Sequence, residues 1–168
     1  MNSEAQKLKQ LGNEAYKEKD YATALKNYVK AIELEPNEIT YYNNIAAVYF
    51  QMENFDKCVK FCEKGCLIGQ FYAAQPKFIF KGYERMGRAL EEMGELENAK
   101  STFEKAKMFL LFPKPGLLLE KDIKVDVIPN HEKCLSEIES AIERCQIKVS
   151  QNCKRIGCFL NGTSFLKT

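Results

Sequence analysis

The feature that most constrains the fold of this chain is a pattern of small and large apolar residues that recurs along it. Aligning Gly12 with Ala46 gives a spacing of 34 residues, and a third copy starts at Gly87, 41 residues after Ala46. Self-similarity at such a spacing is typical of stacked supersecondary units. In the first copy the pattern is formed by Leu11, Gly12, Ala24, Tyr28, Ala31 and Pro36.

The later copies keep the order of small and large side chains. Small residues let two helices approach closely, and large residues fill the groove between them. Each copy therefore predicts a helix–turn–helix hairpin, and three hairpins are expected to stack because one alone cannot bury its apolar face. We place the seven extra residues before the third copy at about 73–79. The matching positions are Ile45, Ala46, Cys58, Cys62 and Gly65, then Met86, Gly87, Ala99, Phe103 and Ala106.

Turn and capping residues divide the three copies into six helices. Residues 3–6 (SEAQ) match a capping box before the first helix, and Asn37 is predicted to cap the third. Asp20, Asn54 and Gly94 fall at the turns within the three hairpins. The predicted helices span about 4–18, 21–35, 38–52, 55–69, 76–93 and 96–110.

The chain changes character after the third copy, because Pro113, Pro115 and Gly116 cannot continue a helix. Residues 123–128 alternate partly, as a short strand would, but no partner strand is evident, and we interpret 114–129 as a connection. Asn130 is then predicted to cap a last helix over about 131–151, which covers the exposed end of the array. Its apolar stripe comprises Leu135, Ile138, Ile142, Cys145 and Val149.

These elements predict an all-α superhelix of three repeats with a C-terminal capping helix. The domain is expected to span 1–151, with a flexible basic tail at 152–168 that contains Lys154, Arg155 and Lys167 and no acidic residue. Within the domain the predicted repeats cover about 5–38, 39–72 and 80–113, followed by the connection at 114–129 and the capping helix at 130–151.

Charge and composition narrow the classes of function. The net charge is only +2, so we expect no nucleic-acid partner. No stretch approaches the roughly 20 apolar residues of a membrane helix, and the start MNSEAQKLKQ lacks the apolar core of a signal peptide. We therefore predict a cytoplasmic monomer without a membrane partner, whose seven cysteines are reduced thiols.

The repeat positions resemble the tetratricopeptide repeat (TPR) over about residues 4–113. The runs LGNEAYKEKDYATALKNYVKAIELEPNEITYYNNIAAVYF and KGYERMGRALEEMG are similar to the middle TPR domain of Hsp organising protein (Hop) co-chaperones. That group also has three repeats, a lengthened second connection and a capping helix. The resemblance implies a non-enzymatic adaptor that binds, in a concave groove, the C-terminal Glu-Glu-Val-Asp peptide of heat-shock protein 90 or heat-shock protein 70.

In this group a two-carboxylate clamp holds the last peptide residue. Lys9 and Asn13 lie four residues apart, as do Lys81 and Arg85, so each pair shares a helix face. Asparagine donates directionally, lysine supplies a compact cation and arginine a planar fork, which suits an aspartate with two carboxylates. The positions that the resemblance assigns to the clamp hold Lys9, Asn13, Asn44, Lys81 and Arg85.

Three further residues are assigned to the peptide pocket. Tyr16 matches an aromatic position that lines the pocket for the penultimate valine. Gln51 stands where the resembled domain has a carboxylate, and Arg88 where it has a small polar residue. Both departures make the groove less acidic or more basic, so they are expected to shift the preference for peptide residues upstream of Val-Asp.

Other readings remain beside this one. The clamp residues could be ordinary solvated side chains of a general protein–protein scaffold, or the chain could be the targeting part of a larger enzyme. Cys58, Cys62 and Cys66 stack at spacings of four and could hold a metal, but they fit core positions. The other cysteines lack the spacing of zinc modules. We therefore predict no catalytic residue, no metal site and no cofactor.

Overall fold

Seven α-helices form the part of the chain that the computed structural model describes, residues 3–111 and 130–162, with side chains described as far as Cys153. No strand occurs within those ranges, which confirms the all-α prediction. The first six helices agree with the predicted bounds to within two residues. The helices are α1 (Glu4–Lys17), α2 (Tyr21–Leu34), α3 (Ile39–Gln51), α4 (Phe55–Phe71), α5 (Pro76–Glu92), α6 (Leu96–Leu111) and α7 (His131–Gly162).

Side-chain caps start four of these helices. Ser3 Oγ accepts the N–H of Gln6 at 3.2 Å, and Asp20 and Asn54 accept in the same way at the starts of α2 and α4. The predicted Asn37 cap is wrong by one residue. Glu38 has an extended backbone, and its carboxylate accepts the N–H of Thr40 at 3.0 Å, so the helix begins one residue later than Asn37 would allow.

The small and large residues of the repeat pattern meet as predicted. A Cβ atom added to Gly12 would lie 2.5 Å from the ring of Tyr28, and one added to Gly87 would lie 2.6 Å from the ring of Phe103. Neither distance leaves room for a methyl group. The second repeat tolerates Ala46 because its opposite residue, Cys62, is much smaller than an aromatic ring; both are fully buried.

The buried cysteines pack in the core of the second repeat and its neighbours, as interpreted above. Cys58 and Cys62 are fully buried, and Cys66 is nearly so. A hydrogen bond with Cys58 and burial raise the pKa of the Cys62 thiol, and burial raises the pKa of Cys66 to about 12. Cys62 and Cys66 therefore stay protonated, which makes them poor nucleophiles.

The capping helix α7 packs along α6. Ile138, Ala141 and Cys145 are buried in the same core as Ala99 and Phe103 of α6. At its start, His131 Nε2 donates to the carbonyl oxygen of Leu110 at 3.1 Å and ties the two helices together. None of the helices within the described ranges is long and apolar enough to cross a membrane.

The predicted end of the last helix, at about 151, is wrong. The helix α7 continues to Gly162, so residues 152–162 do not form the flexible tail that we expected. Residues 152–161 contain no proline and only one glycine, and a helix continues where no residue interrupts it. The rest of the predicted tail, 163–168, and the predicted connection lie outside the described residues.

Candidate functional site

The first helices of the three repeats, α1, α3 and α5, contact one another, with α3 in the middle. Hydrogen bonds link α1 to α3 through Asn13 and Asn44, and α3 to α5 through Asn43 and Arg85. This arrangement follows from the hairpin pattern, because the small residues on the opposite side of these helices bring α2, α4 and α6 close behind them.

Asn13 and Asn44 are joined directly. Nδ2 of Asn44 donates to Oδ1 of Asn13 at 3.1 Å, and the hydroxyl of Tyr28 donates to the same oxygen at 2.7 Å. Burial, with a smaller contribution from Tyr16, raises the pKa of Tyr28 to about 12, so the hydroxyl keeps its proton at neutral pH. With two donors on Oδ1, the amide group of Asn13 is oriented so that its NH₂ can donate elsewhere.

Arg85 is anchored to α3 by the carbonyl oxygen of Asn43, which accepts from its Nη1 at 3.1 Å. Asn43 in turn donates from its Nδ2 to the carbonyl oxygen of Phe78 at 2.9 Å, so it holds α3 against the start of α5. One of the five guanidinium N–H groups of Arg85 is used in this anchor. The guanidinium is therefore held against the backbone of α3, and its other N–H groups remain as potential donors.

The two lysines occupy different surroundings. Lys9 is half-buried, and its charge makes a minor contribution to the lowered pKa of Glu35, which is due mainly to the hydrogen bond from Tyr41. Lys81 is exposed and lines a cavity of about 890 Å³ between α5 and α7. Among the described residues, the ion pairs involve neither lysine, so both ammonium groups are available to an anionic ligand.

The three residues assigned to the peptide pocket, Tyr16, Gln51 and Arg88, line one small cavity of about 120 Å³. Arg85 also contributes to its wall, so this cavity adjoins one of the five clamp residues. The guanidinium of Arg88 lies 5.4 Å from the ring centre of Phe50, a cation–π distance, and Nη1 donates to Oε1 of Glu84 at 3.2 Å.

Sequence reasoning missed four residues of this site: Tyr28, Asn43, Phe50 and Glu84. Glu84 could have been found from its position four residues before Arg88, which is the spacing of a helical ion pair. Asn43 is buried, and a buried amide needs hydrogen-bond partners, but its position beside Asn44 in the sequence does not reveal which of the two is buried. Tyr28 was assigned to the core, and its hydroxyl contact depends on how α2 packs against α1.

Two models of the tetratricopeptide repeat match this chain. One, described as "TPR repeat", matches residues 12–53, and the other, "Tetratricopeptide repeat", matches 39–73 and 80–108. The chain belongs to the tetratricopeptide repeat family. This confirms the TPR superhelix and the resemblance to TPR co-chaperones of the organising-protein type.

Individual proteins similar to this TPR chain agree with that assignment. Stress-induced-phosphoprotein 1 of Caenorhabditis elegans is 44% identical over 121 residues, which cover 69% of this chain and 37% of the relative. The chain thus spans little more than a third of that protein. The solved N-terminal domain of stress-induced protein-1 (STI-1) from C. elegans is 38% identical, with a TM-score of 0.63, over 80% of this chain and 94% of that domain.

A third similar protein is the first TPR of Spaghetti (RPAP3), solved bound to the HSP90 peptide SRMEEVD. It is 24% identical to this chain, with a TM-score of 0.58, and the match covers 83% of this chain and 95% of that one. At this level of identity the likeness shows a common fold.

Proposed function

We propose that this TPR domain is a non-enzymatic adaptor that binds an acidic C-terminal peptide ending in Glu-Glu-Val-Asp. The peptide belongs to heat-shock protein 90 or, as the alternative, to heat-shock protein 70. The clamp for the terminal aspartate consists of Lys9, Asn13, Asn44, Lys81 and Arg85. A related fold has been solved with an HSP90 peptide that ends in these four residues, which supports the choice of ligand.

The observation that carries this proposal is the pair of hydrogen bonds to Oδ1 of Asn13, from Tyr28 and Asn44. They direct the NH₂ group of Asn13 to donate to a ligand. Arg85 is held in the same region by its bond to the carbonyl oxygen of Asn43. Donors that are already oriented lose less conformational entropy on binding, so they favour a carboxylate ligand.

The chemistry of the site predicts a moderate affinity. A C-terminal aspartate carries two carboxylates, and each charge-assisted hydrogen bond contributes about 1.5–3 kcal/mol. Loss of translational freedom and ordering of the peptide cost several kcal/mol. We therefore expect a dissociation constant on the order of micromolar, or about −8 kcal/mol, that weakens as salt increases.

The decisive experiment compares a fluorescent peptide ending in Glu-Glu-Val-Asp with the same peptide amidated at its C-terminus. We expect the amide to bind at least about tenfold more weakly, because it lacks one of the two carboxylates. Lys9→Ala and Lys81→Ala should weaken the free-acid peptide similarly. Lys100→Ala on α6, whose partner is Glu104 at 4.0 Å, is the matched control and should have no effect. Equal binding of acid and amide would overturn the clamp.

A general scaffold is the second candidate function, and one observation favours it. Phe71 and Leu67, one turn apart on α4, are 80% and 68% exposed, the two highest values among the exposed large apolar side chains of the described residues. If peptide binding ignores the free C-terminus, this surface is the better candidate for contact with a folded protein. We propose a cytoplasmic setting for either function, consistent with the six described cysteines being free thiols.

A further inference from the structure

Glu84 and Arg88 stand between two cavities. Both line the cavity of about 120 Å³ with Tyr16 and Gln51, and both line the cavity of about 890 Å³ between α5 and α7. A peptide held at its C-terminus by the clamp would pass this pair. We infer that Glu84 is a specificity-determining residue, which competes with acidic peptide side chains for Arg88. This inference rests on the proposed function.

The geometry leaves Arg88 able to change partners. Its side chain is 58% exposed, whereas that of Glu84 is 29% exposed, and the two meet through one contact of 3.2 Å. A single contact between exposed charges is weak in water. The ring of Phe50 supports the guanidinium from one side, so Arg88 can exchange its carboxylate partner without leaving the groove.

Among the described residues, Glu84 is the carboxylate that forms an ion pair with Arg88. Glu91 lies three residues after Arg88, and it accepts from Arg144 at 3.2 Å and from Lys148 at 2.8 Å, both on α7. Lys81, Arg85 and Arg88 share a face of α5. Glu84 lies within one turn of Lys81 and of Arg88, so it lowers the positive potential where the peptide enters.

The Glu84–Arg88 pair should therefore affect how strongly the domain prefers acidic over neutral residues upstream of the terminal Val-Asp. An acidic peptide residue can form an ion pair with Arg88 only by displacing Glu84. A neutral peptide residue leaves the Glu84–Arg88 pair intact. The pair therefore reduces the discrimination between acidic and neutral upstream residues. Removing the charge of Glu84 should sharpen that discrimination, and removing the charge of Arg88 should abolish most of it.

The experiment measures the binding of two fluorescent free-acid peptides, one ending in Glu-Glu-Val-Asp and one in Gln-Gln-Val-Asp. The readout is the ratio of their dissociation constants. Glu84→Gln should raise the preference for the acidic peptide roughly two- to fivefold, and Arg88→Gln should lower it by a similar factor. Glu84→Gln should also be measured in a chain that already carries Arg88→Gln. There it should change the ratio by less than about half of the change that it causes when Arg88 is present.

Matched controls are Glu104→Gln and Lys100→Gln on α6, which change the net charge equally in another i,i+4 pair. They should leave the ratio unchanged. The inference is overturned if Glu84→Gln leaves the ratio unchanged, or alters it equally with and without the charge of Arg88. Suppose that the inference is overturned in this way but the amidated Glu-Glu-Val-Asp peptide still binds more weakly than its free acid. Then only the role of Glu84 is wrong, and the proposed function stands. If acid and amide bind equally, the proposed function falls and this inference falls with it.

Discussion

The hydroxyl of Tyr28 donates a 2.7 Å hydrogen bond to Oδ1 of Asn13, across the hairpin of the first repeat. The same ring fills the space left by Gly12, where an added Cβ would lie 2.5 Å away. Tyr28 therefore has two roles: its ring packs the two helices of the repeat together, and its hydroxyl orients Asn13 of the proposed clamp. Changes to this residue should affect stability and peptide binding through different atoms.

Tyr28→Phe removes the hydroxyl and keeps the ring. We expect a loss of about 0.5–1.5 kcal/mol in the free energy of unfolding, because Oδ1 of Asn13 loses one donor. Peptide affinity should fall up to severalfold, since the amide of Asn13 is then oriented by the bond from Asn44 alone. Urea denaturation and peptide titration measure the two effects. Tyr72→Phe, at an exposed tyrosine, serves as the control. Unchanged peptide affinity in Tyr28→Phe would show that the hydroxyl does not orient Asn13.

The same tyrosine predicts a response to high pH. Its pKa is about 12 in the folded chain and near 10 when unfolded, so the unfolded state loses the proton first. The stabilising contribution is complete below pH 10 and is lost as the pH rises towards 12, by about 1–3 kcal/mol. Denaturant titrations at pH 9 and pH 11 measure it. The decline between these values should be shallower in Tyr28→Phe, and an identical decline would contradict the prediction.

Gly87→Ala should destabilise the third repeat by about 1–3 kcal/mol, because the new methyl group overlaps the ring of Phe103. The test is a double-mutant cycle with Phe103→Leu, which removes the ring at the point of overlap. In that background Gly87→Ala should cost clearly less in the free energy of unfolding. Strictly additive losses would mean that the glycine is required for some other reason.

Glu91 joins α5 to α7, and its replacement should loosen the capping helix. Although burial acts to raise its pKa, hydrogen bonds from Lys148 and Arg144 hold the pKa of Glu91 below its ordinary value. Glu91 therefore stabilises the fold at pH values above the pKa that its carboxyl has in the unfolded chain. This contribution is lost as the pH falls through the lower pKa of the folded chain.

Glu91→Gln should cost about 1 kcal/mol in the free energy of unfolding at neutral pH. The cost should shrink as the medium is acidified, because the carboxyl group of Glu91 takes up a proton as the pH falls through its folded pKa. Glu92→Gln, at the adjacent exposed glutamate, is the control. Urea denaturation at pH 7 and pH 3.5 measures both variants. Equal losses for Glu91→Gln and Glu92→Gln at pH 7 would rule out a special role for the contacts to α7.

Local pattern was enough to predict much of this fold. The spacing of Gly12, Ala46 and Gly87 located the three hairpins, and turn residues such as Asp20 and Asn54 placed the helix bounds to within two residues. The helical spacing of four placed Lys9 with Asn13 and Lys81 with Arg85, because neighbours on one helix depend only on helix geometry. The end of α7 was missed, although Cys153, Ile156 and Leu160 continue the spacing of its apolar stripe and no proline interrupts it.

Contacts between helices were decided by the tertiary structure. Asn13 and Asn44 are 31 residues apart, and Arg85 and Asn43 are 42 apart, so their hydrogen bonds depend on how α1, α3 and α5 stack. The stacking results from many buried contacts together, including Gly12 with Tyr28 and Gly87 with Phe103. Periodicity in the chain identifies which face of each helix is buried, but the angle and distance between helices arise only when those faces pack against one another.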